Sequence, residues 1–222
     1  MEHRGSGTKR AFRPTRNRRC TRTGCSGAWR TLCATLKWRA PSSERPTAGA
    51  VDGAVRVIIR FETPRDLEAI REVNIVAFEH HPFSHQTEHL IVEALRAADA
   101  LDVSLVAEVD GEVMGHIAFS AAGIGDASSG WFLLGPVAVL PDHQGKGVRR
   151  ALVETGLDAL RSRGACGCVL VGDPAFYSRF GFRQYPGVVW EGVPDENVLC
   201  LLMSGDQPVG GVSHHPAFLA GM

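Results

Sequence analysis

Residues 134–160 constrain the fold more than any other part of the chain. Their sequence, LGPVAVLPDHQGKGVRRALVETGLDAL, combines an apolar segment typical of a buried strand, a turn with glycines at 145 and 147, and an amphipathic helix. Such a turn leaves the first N–H groups of the helix unpaired, and the helix dipole adds partial positive charge at the same end. The sequence therefore predicts a strand–turn–helix unit whose turn attracts anions.

The glycine turn does not by itself identify a ligand. Its QGKG sequence contains neither the G-x-x-x-x-G-K-[ST] pattern of a P-loop nor the G-x-G-x-x-G pattern of a dinucleotide site. A turn of this kind also occurs as a purely structural connection, so its meaning depends on the rest of the chain.

Strand and helix signals alternate from residue 55 onward, which predicts one α/β domain. We expect strands at 55–61, 104–109, 113–120, 131–139, 166–172, 182–185 and 197–203, and helices at 64–78, 86–97, 148–163 and 174–180. The order β-α-α-β-β-β-α-β-α-β-β indicates a mixed β-sheet. Its strands at 131–139 and 166–172 are expected to be parallel, because a helix connects them in a right-handed crossover.

Local signals predict several boundaries. Thr63 and Pro64 are typical of the N-cap and first residue of a helix, and Asp110-Gly111 is typical of a two-residue hairpin turn. We expect a flexible segment at 123–130 and loop structure after Ser204. The apolar spacing of the second helix predicts an inner face of Leu90, Ile91, Ala94 and Leu95.

Charge divides the chain into segments. Residues 1–50 carry twelve Lys or Arg and two acidic residues, a net +10, whereas the remainder carries twelve and twenty-two, a net −10. We expect a basic arm at 1–54, a domain at 55–205 and a tail at 206–222. Three interpretations of the basic arm are open: an upstream start codon with the true start near residues 51–55, a disordered extension that contacts nucleic acid or anionic surfaces, and an Arg-rich organelle transit segment.

Composition argues against several classes of protein. The longest apolar run, at 131–140, is too short to cross a bilayer, and no apolar segment of a secretory signal follows the basic N-terminus. The acidic domain lacks the basic signal of a nucleic-acid-binding protein. The six cysteines lack zinc-ligand spacing, so we expect reduced thiols and a cytoplasmic location.

Histidines at 80, 81, 85 and 89 form a run after the first helix. Pro82 interrupts this run, and only His85 and His89 share a helical face. We therefore interpret the run as a solvated loop and expect no metal site.

Two motifs resemble those of the GNAT superfamily of acyl-CoA N-acyltransferases. The superfamily signature Q/R-x-x-G-x-G/A follows a strand and opens a helix, as does QGKGVR at 144–149. Its last helix ends in Tyr-x-(Lys/Arg)-x-Gly-Phe, and residues 177–182 are YSRFGF. The resemblance covers about residues 55–205, looks closest to the YhbS-like branch, and implies the mixed α/β fold of the superfamily with acetyl-CoA as co-substrate.

The resemblance also implies roles for individual residues. The tyrosine of the last helix is the general acid of the family, here Tyr177, which would donate a proton to the departing thiolate. A core aromatic with a capped hydroxyl is the structural alternative for this residue. Backbone groups of the strand before the turn bind the pantetheine arm and the thioester carbonyl, here Val137, Ala138 and Val139. The loop amides bind the coenzyme pyrophosphate, here at Gln144, Gly145, Lys146, Gly147, Val148 and Arg149.

Two points are open at the expected site. No general base is evident, and Glu79 and His116 are weak candidates for which a surface or structural role is the alternative. Arg149 occupies a position where the superfamily has Gly or Ala. Either its guanidinium pairs with a coenzyme phosphate, or it crowds the site and weakens binding.

Together these inferences predict an N-acetyltransferase that transfers the acetyl group of acetyl-CoA to a primary amine of a small molecule or a protein, by direct attack on the thioester. The alternative is a non-catalytic acyl-CoA-binding or regulatory module with the same fold. Nucleic acid is expected as a partner only through the basic arm, a membrane is not expected, and a homodimer is left open.

Overall fold

The computed structural model describes residues 56–81 and 84–219, with the backbone alone at 127 and 128. The basic arm and its three interpretations lie outside the described residues. The strands are β1 (Val57–Phe61), β2 (Val103–Val109), β3 (Glu112–Ile124), β4 (Ala127–Val139), β5 (Gly167–Val171), β6 (Val188–Val189), β7 (Val198–Leu202) and β8 (Gly210–His214). The helices are α1 (Leu67–Phe78), α2 (Glu88–Ala97), α3 (Val148–Ser162) and α4 (Pro174–Tyr177).

The strands form a mixed sheet in the order β1-β2-β3-β4-β5-β7. Neighbours along this path are antiparallel except β4 and β5, which are parallel and joined through α3. β8 pairs antiparallel with the end of β3 and parallel with β6. The mixed α/β sheet and the parallel β4–α3–β5 unit expected from the sequence are confirmed.

Helices cover both faces of the sheet. Successive residues of β3 point to opposite faces, so Ile117 packs in the cluster that includes α3, whereas His116 contacts Asn74 of α1. Each buried leucine on the α3 side stabilises the fold by about 1.5–3 kcal/mol. The leucines of that cluster from β2 and α3 are Leu105, Leu152, Leu157 and Leu160.

The start of α1 differs from the prediction. The helix begins at Leu67 with Asp66 at the N-cap, so Thr63 and Pro64 precede it. The Asp66 carboxylate accepts hydrogen bonds from the Thr63 N–H at 2.6 Å and from two guanidinium nitrogens of Arg60 at 2.7 and 2.9 Å. These bonds hold residues 63–66 as a turn, so the helix begins at Leu67 instead of at Pro64.

The predicted inner face of α2 is wrong at Leu90. This side chain is 36% exposed, whereas Val92 and Leu95 are buried. Val92 packs against Ile70 of α1 and Val106 of β2. Packing against α1 and β2 therefore determines that the helix face with Val92 and Leu95, and not the face with Leu90, points inward.

Two glycine-rich segments that were expected to be irregular form strands. Residues 123–130 belong to the β3–β4 hairpin, whose turn is Gly125 and Asp126, and residues 210–214 form β8. Gly125 donates its N–H to the carbonyl of Gly211 at 2.9 Å, which ties the two segments together. The irregular structure expected for both segments is thus wrong, because strand pairing compensates for weak local propensity.

The strand predicted at 182–185 is also wrong. This segment makes a single bridge, between Arg183 and Cys200, and the neighbouring strand β6 lies at Val188–Val189. The predicted hairpin turn at Asp110-Gly111 is confirmed, with φ of 51° and 89° at its two residues. Within the described part of the chain, no helix is long and apolar enough to span a membrane.

Gly156 of α3 offers a test of the packing on the β3 side. A Cβ at this position would overlap the ring of Phe119, so Gly156→Ala forces a shift in a close-packed core. We expect the free energy of unfolding to fall by about 1–3 kcal/mol in chemical denaturation, in spite of the better helix propensity of Ala. Thr155→Ala, on the exposed side of the same turn, is the matched control and should not destabilise. A Gly156→Ala protein as stable as wild type would contradict this packing.

Candidate active site

β4 separates from β5 in the middle of the sheet. Their register runs from Trp131–Gly167 to Leu133–Val169 and is not continued within the described residues, although β4 extends to Val139. Along β3, the register with β4 shifts from Val137 to Leu134 between Ile117 and Phe119, so β4 holds one extra residue there. Such a bulge bends a strand and redirects its backbone groups. The result is an opening between two parallel strands at the centre of the sheet.

The predicted strand residues of the site line this opening on the β4 side. Ala138 and Val139 are 1% and 6% exposed, and Val137 is half-buried. Ala138 pairs with His116 of β3 and Val139 pairs with Gly115, so this part of β4 keeps its neighbour on one side only. Within the described residues, its backbone pairs with no strand on the side of the opening.

The glycine turn lies between the end of β4 and α3. Gly145 and Gly147 have φ of 70° and 84°, the left-handed region in which glycine avoids steric strain. No heavy atom lies within 4 Å of a Cβ built at either position, so the backbone conformation is the reason for glycine there. The Gln144 side chain donates from Nε2 to the Val139 carbonyl at 3.0 Å and joins the turn to β4.

The N-terminus of α3 has the properties of an anion site. Gly147 is the N-cap residue and supplies no side-chain cap, and the first turn contains no acidic residue. Lys146 and Arg149 are exposed there, whereas the Val148 side chain is 2% exposed and packs in the core. Unpaired N–H groups, the dipole of a helix of 15 residues and nearby cations all favour a negatively charged group.

Tyr177 is held on α4, directly after β5. Asp173 caps this short helix by accepting the Ala175 N–H at 2.8 Å. The Tyr177 ring is 3% exposed and lies against Phe176 and Phe182, with ring centroids 4.9 and 5.8 Å apart. Burial raises the pKa of Tyr177, and the nearby Arg149 charge and hydrogen bond oppose this rise. The hydroxyl therefore stays protonated at neutral pH.

Arg149 connects the turn to Tyr177. Its Nη2 donates to the Tyr177 hydroxyl at 3.1 Å, and its guanidinium carbon lies 4.0 Å from the centroid of the Phe176 ring. The guanidinium is thus directed toward α4, an arrangement that neither sequence alternative for Arg149 anticipated. No short-range pattern could have revealed it, because the two partners lie on different helices separated by β5.

His116 is fully buried and has no free lone pair. Asn74 Nδ2 donates to its Nδ1 at 3.2 Å, since the same amide nitrogen also donates to the Ile70 carbonyl and fixes the amide orientation. The Nε2–H of His116 then donates to Ser104 Oγ at 2.9 Å, and the Ser104 hydroxyl donates to Glu62. Arg96 completes the network with two hydrogen bonds to Glu62, at 3.0 and 2.9 Å.

This network assigns a structural role to His116. Burial lowers the pKa of His116 to about 4, so the ring is neutral and its contact with Glu62 is not an ion pair at neutral pH. Glu79, the other candidate base, is exposed at the C-cap of α1. Neither geometry supports a base at the opening of the sheet. The partners of His116 were missed, because Asn74 and Ser104 lie singly within an apolar helix and strand and Glu62 lies in the loop after β1.

The histidine run after α1 does not gather into a ligand set. Within residues 56–81 and 84–219, no group of three or more His, Cys, Asp or Glu side chains is placed to hold a metal ion.

Comparison with known proteins identifies the class. A family model described as an acetyltransferase (GNAT) domain matches residues 101–184. The uncharacterized N-acetyltransferase YhbS of Escherichia coli is 38% identical over 128 residues, which cover 57% of this chain and 74% of that protein. The chain belongs to the GNAT family of N-acetyltransferases.

Two solved structures support the same assignment. A GNAT family acetyltransferase from Brucella melitensis, crystallised with acetyl-CoA, is 48% identical with a TM-score of 0.66, covering 74% of this chain and 99% of that one. YhbS from E. coli, crystallised with CoA, is 31% identical with a TM-score of 0.67, covering 78% and 98%. Within the family, the chain falls in the YhbS-like branch.

The buried histidine makes stability depend on pH. Because the folded-state pKa of His116 is about 4 against an ordinary 6.5, the unfolded chain binds more protons between these values. The free energy of unfolding should therefore fall as pH drops from 6.5 toward 4, by up to about 3 kcal/mol from this residue. Denaturant unfolding at a series of pH values measures the effect.

His116→Gln should flatten this dependence, since glutamine does not titrate, whereas the exposed His80→Gln serves as control and should keep the wild-type slope. Equal slopes in wild type and His116→Gln would contradict the neutral buried imidazole.

Proposed function

We propose that the protein transfers the acetyl group of acetyl-CoA to a primary amine, with Tyr177 as the proton donor. The observation that carries the proposal is the convergence of three features: the opening between β4 and β5, the uncapped glycine turn at α3, and a buried tyrosine that follows β5. The acetyl-CoA bound to the Brucella relative supports the choice of donor.

The coenzyme would contact two parts of the chain. The turn from Gln144 to Arg149 would hold the pyrophosphate through backbone N–H groups, because the helix end favours anions. The opening beside Val137, Ala138 and Val139 would hold the pantetheine arm, since β4 has no second strand there. Acetyl-CoA supplies an activated thioester when bound.

The chain would assist the reaction at two atoms. A backbone N–H of residues 137–139 would stabilise the negative charge that develops on the carbonyl oxygen, an effect worth about 3 kcal/mol for a well-placed donor. The Tyr177 O–H would donate its proton to the thiolate sulfur as the C–S bond breaks. A tyrosine that remains protonated at neutral pH is suited to this role.

The amine acceptor reaches the thioester in its neutral form in this proposal. His116 has both ring nitrogens engaged and Glu79 is exposed, so neither is assigned as base. The acceptor is the amino group of a small molecule or of a protein.

The catalytic domain proposed for residues 55–205 is completed by β8, which pairs with β3. The free thiols of Cys166, Cys168 and Cys200 support the proposed cytoplasmic location.

Acetyl-CoA should bind the full-length protein and yield free CoA in the presence of a suitable amine. We expect saturable thermal stabilisation by acetyl-CoA, because a ligand that binds only the folded state raises the melting temperature. A thiol-release assay over a panel of amines measures turnover. Stabilisation without thiol release for any amine would favour the non-catalytic binding module, and the absence of both would refute the proposed function.

Tyr177→Phe removes the proton donor and keeps the ring that packs against Phe176 and Phe182. We expect kcat to fall roughly 10²–10⁴-fold, with thermal stabilisation by acetyl-CoA retained. The chain contains one further tyrosine, Tyr185, which is also buried and accepts a hydrogen bond from Arg183. Tyr185→Phe is therefore the matched control. Unchanged kcat in Tyr177→Phe would assign the proton transfer to another group.

A further inference from the structure

Arg149 departs from the family motif and contacts Tyr177, which gives it a role that the motif does not describe. Its guanidinium lies over the Phe176 ring, with the carbon atom 4.0 Å from the ring centroid, and donates from Nη2 to the tyrosine hydroxyl at 3.1 Å. The ring face attracts the cation and fixes its position. The side chain is therefore held beside Tyr177 by two independent contacts.

The direction of the hydrogen bond determines what Tyr177 can do. A guanidinium has donors and no acceptor, so the Tyr177 oxygen accepts and its own proton remains available for a different partner. In a tyrosine capped by a carbonyl, the proton would be used within the protein. The contact with Arg149 therefore does not use the Tyr177 proton, which can be donated to the thiolate in the proposed reaction.

We infer that Arg149 is a positioning residue for acyl transfer, which keeps the Tyr177 hydroxyl oriented as a proton donor and stabilises the phenolate left after it donates. This inference rests on the proposed function of Tyr177. In the transfer step, the neutral amine forms the C–N bond as the C–S bond breaks, and the thiolate takes the proton from Tyr177. The phenolate then regains a proton from the acylated nitrogen, which leaves a neutral amide and free CoA thiol. The Arg149 cation faces that oxygen, and its hydrogen bond to the charged phenolate is stronger than its hydrogen bond to the neutral hydroxyl.

The competing role for Arg149 is a contact with the coenzyme pyrophosphate. The two roles differ in where the guanidinium lies when the coenzyme is bound. In the positioning role the guanidinium stays hydrogen-bonded to the Tyr177 hydroxyl. In the phosphate role it moves to the pyrophosphate, and no Arg149 charge remains beside Tyr177. The ionisation of Tyr177 reports directly on this choice, because a nearby cation favours the phenolate.

Nuclear magnetic resonance of ring-labelled tyrosine tests the contact without turnover. The chain has two tyrosines, so Tyr185→Phe leaves Tyr177 as the single resonance. We expect Arg149→Met in that background to move the Tyr177 titration midpoint to higher pH, since the cation that favours the phenolate is lost. Arg150→Met removes a neighbouring charge that pairs with Glu154 at 2.8 Å, and it should leave the midpoint unchanged.

Each outcome of the titration decides the inference. Equal midpoints with and without Arg149, including failure of both proteins to titrate before they unfold, would overturn it. Saturating CoA provides the second arm. A midpoint that stays at its coenzyme-free value supports the positioning role, and a midpoint that rises to the Arg149→Met value overturns it in favour of phosphate binding.

Kinetics separates positioning from coenzyme binding. Arg149→Met should lower kcat by roughly 10–100-fold with little change in KM for acetyl-CoA, as expected for loss of a hydrogen bond to a charged group. The alkaline limb of its pH profile should move to higher pH, and Arg149→Lys should recover part of kcat. In a Tyr177→Phe background, Arg149→Met should add little, because the group it acts through is gone.

The experiment distinguishes this inference from the proposed function. Turnover by wild type with equal titration midpoints would leave acetyl transfer intact and refute the role of Arg149. Unequal midpoints with no thiol release for any amine would refute the proposed function, and with it the catalytic part of the inference. A rise in KM alone in Arg149→Met would also overturn positioning.

Discussion

The rest of the structure depends on the loss of pairing between β4 and β5 after Leu133. A central strand of a sheet normally satisfies its N–H and C=O groups on both sides, and unpaired backbone groups in the interior are costly. β4 keeps β3 as its partner up to Val139, and the extra residue between Leu134 and Val137 bends it. The opening is therefore stable only if something else covers it, and the glycine turn and α4 are the elements that border it. In the proposed function, the bound coenzyme would cover the backbone groups that lack a strand partner.

The separation of β4 and β5 needs a rigid support on the other side of β4. The hydrogen-bond network that runs from Arg96 through Glu62, Ser104 and His116 to Asn74 provides one. It joins the loop after β1, two central strands and both helices of that face. Because each residue of this network is hydrogen-bonded to the next, a shift of one element breaks bonds to the others. Its neutral histidine is buried on the face opposite Ile117 and Phe119, and both of its ring nitrogens are hydrogen-bonded within the network.

The sequence was informative where conformation is locally determined. Gly145 and Gly147 need a left-handed backbone, and Tyr177 follows a capped turn, so QGKGVR and YSRFGF could be assigned from short-range pattern and resemblance. The sequence failed where distant residues decide. The strand at 210–214 exists because it pairs with 122–124, and Arg149 reaches Tyr177 across β5. In both cases the conformation depends on a contact with another element, and the hydrophobic periodicity of the sequence carries no information about such contacts.

The pairing of β8 with β3 also affects how the chain is made. β3 is synthesised long before residues 212–214, which complete its end, and β6 likewise receives its partner only then. On the ribosome, the sheet can therefore assemble as far as β7 while the edge at Ala122, Gly123 and Ile124 lacks its neighbour. Contacts between such distant residues slow folding and leave strand edges exposed in the interim. This edge of the sheet can therefore be completed only after residues 210–214 have been synthesised.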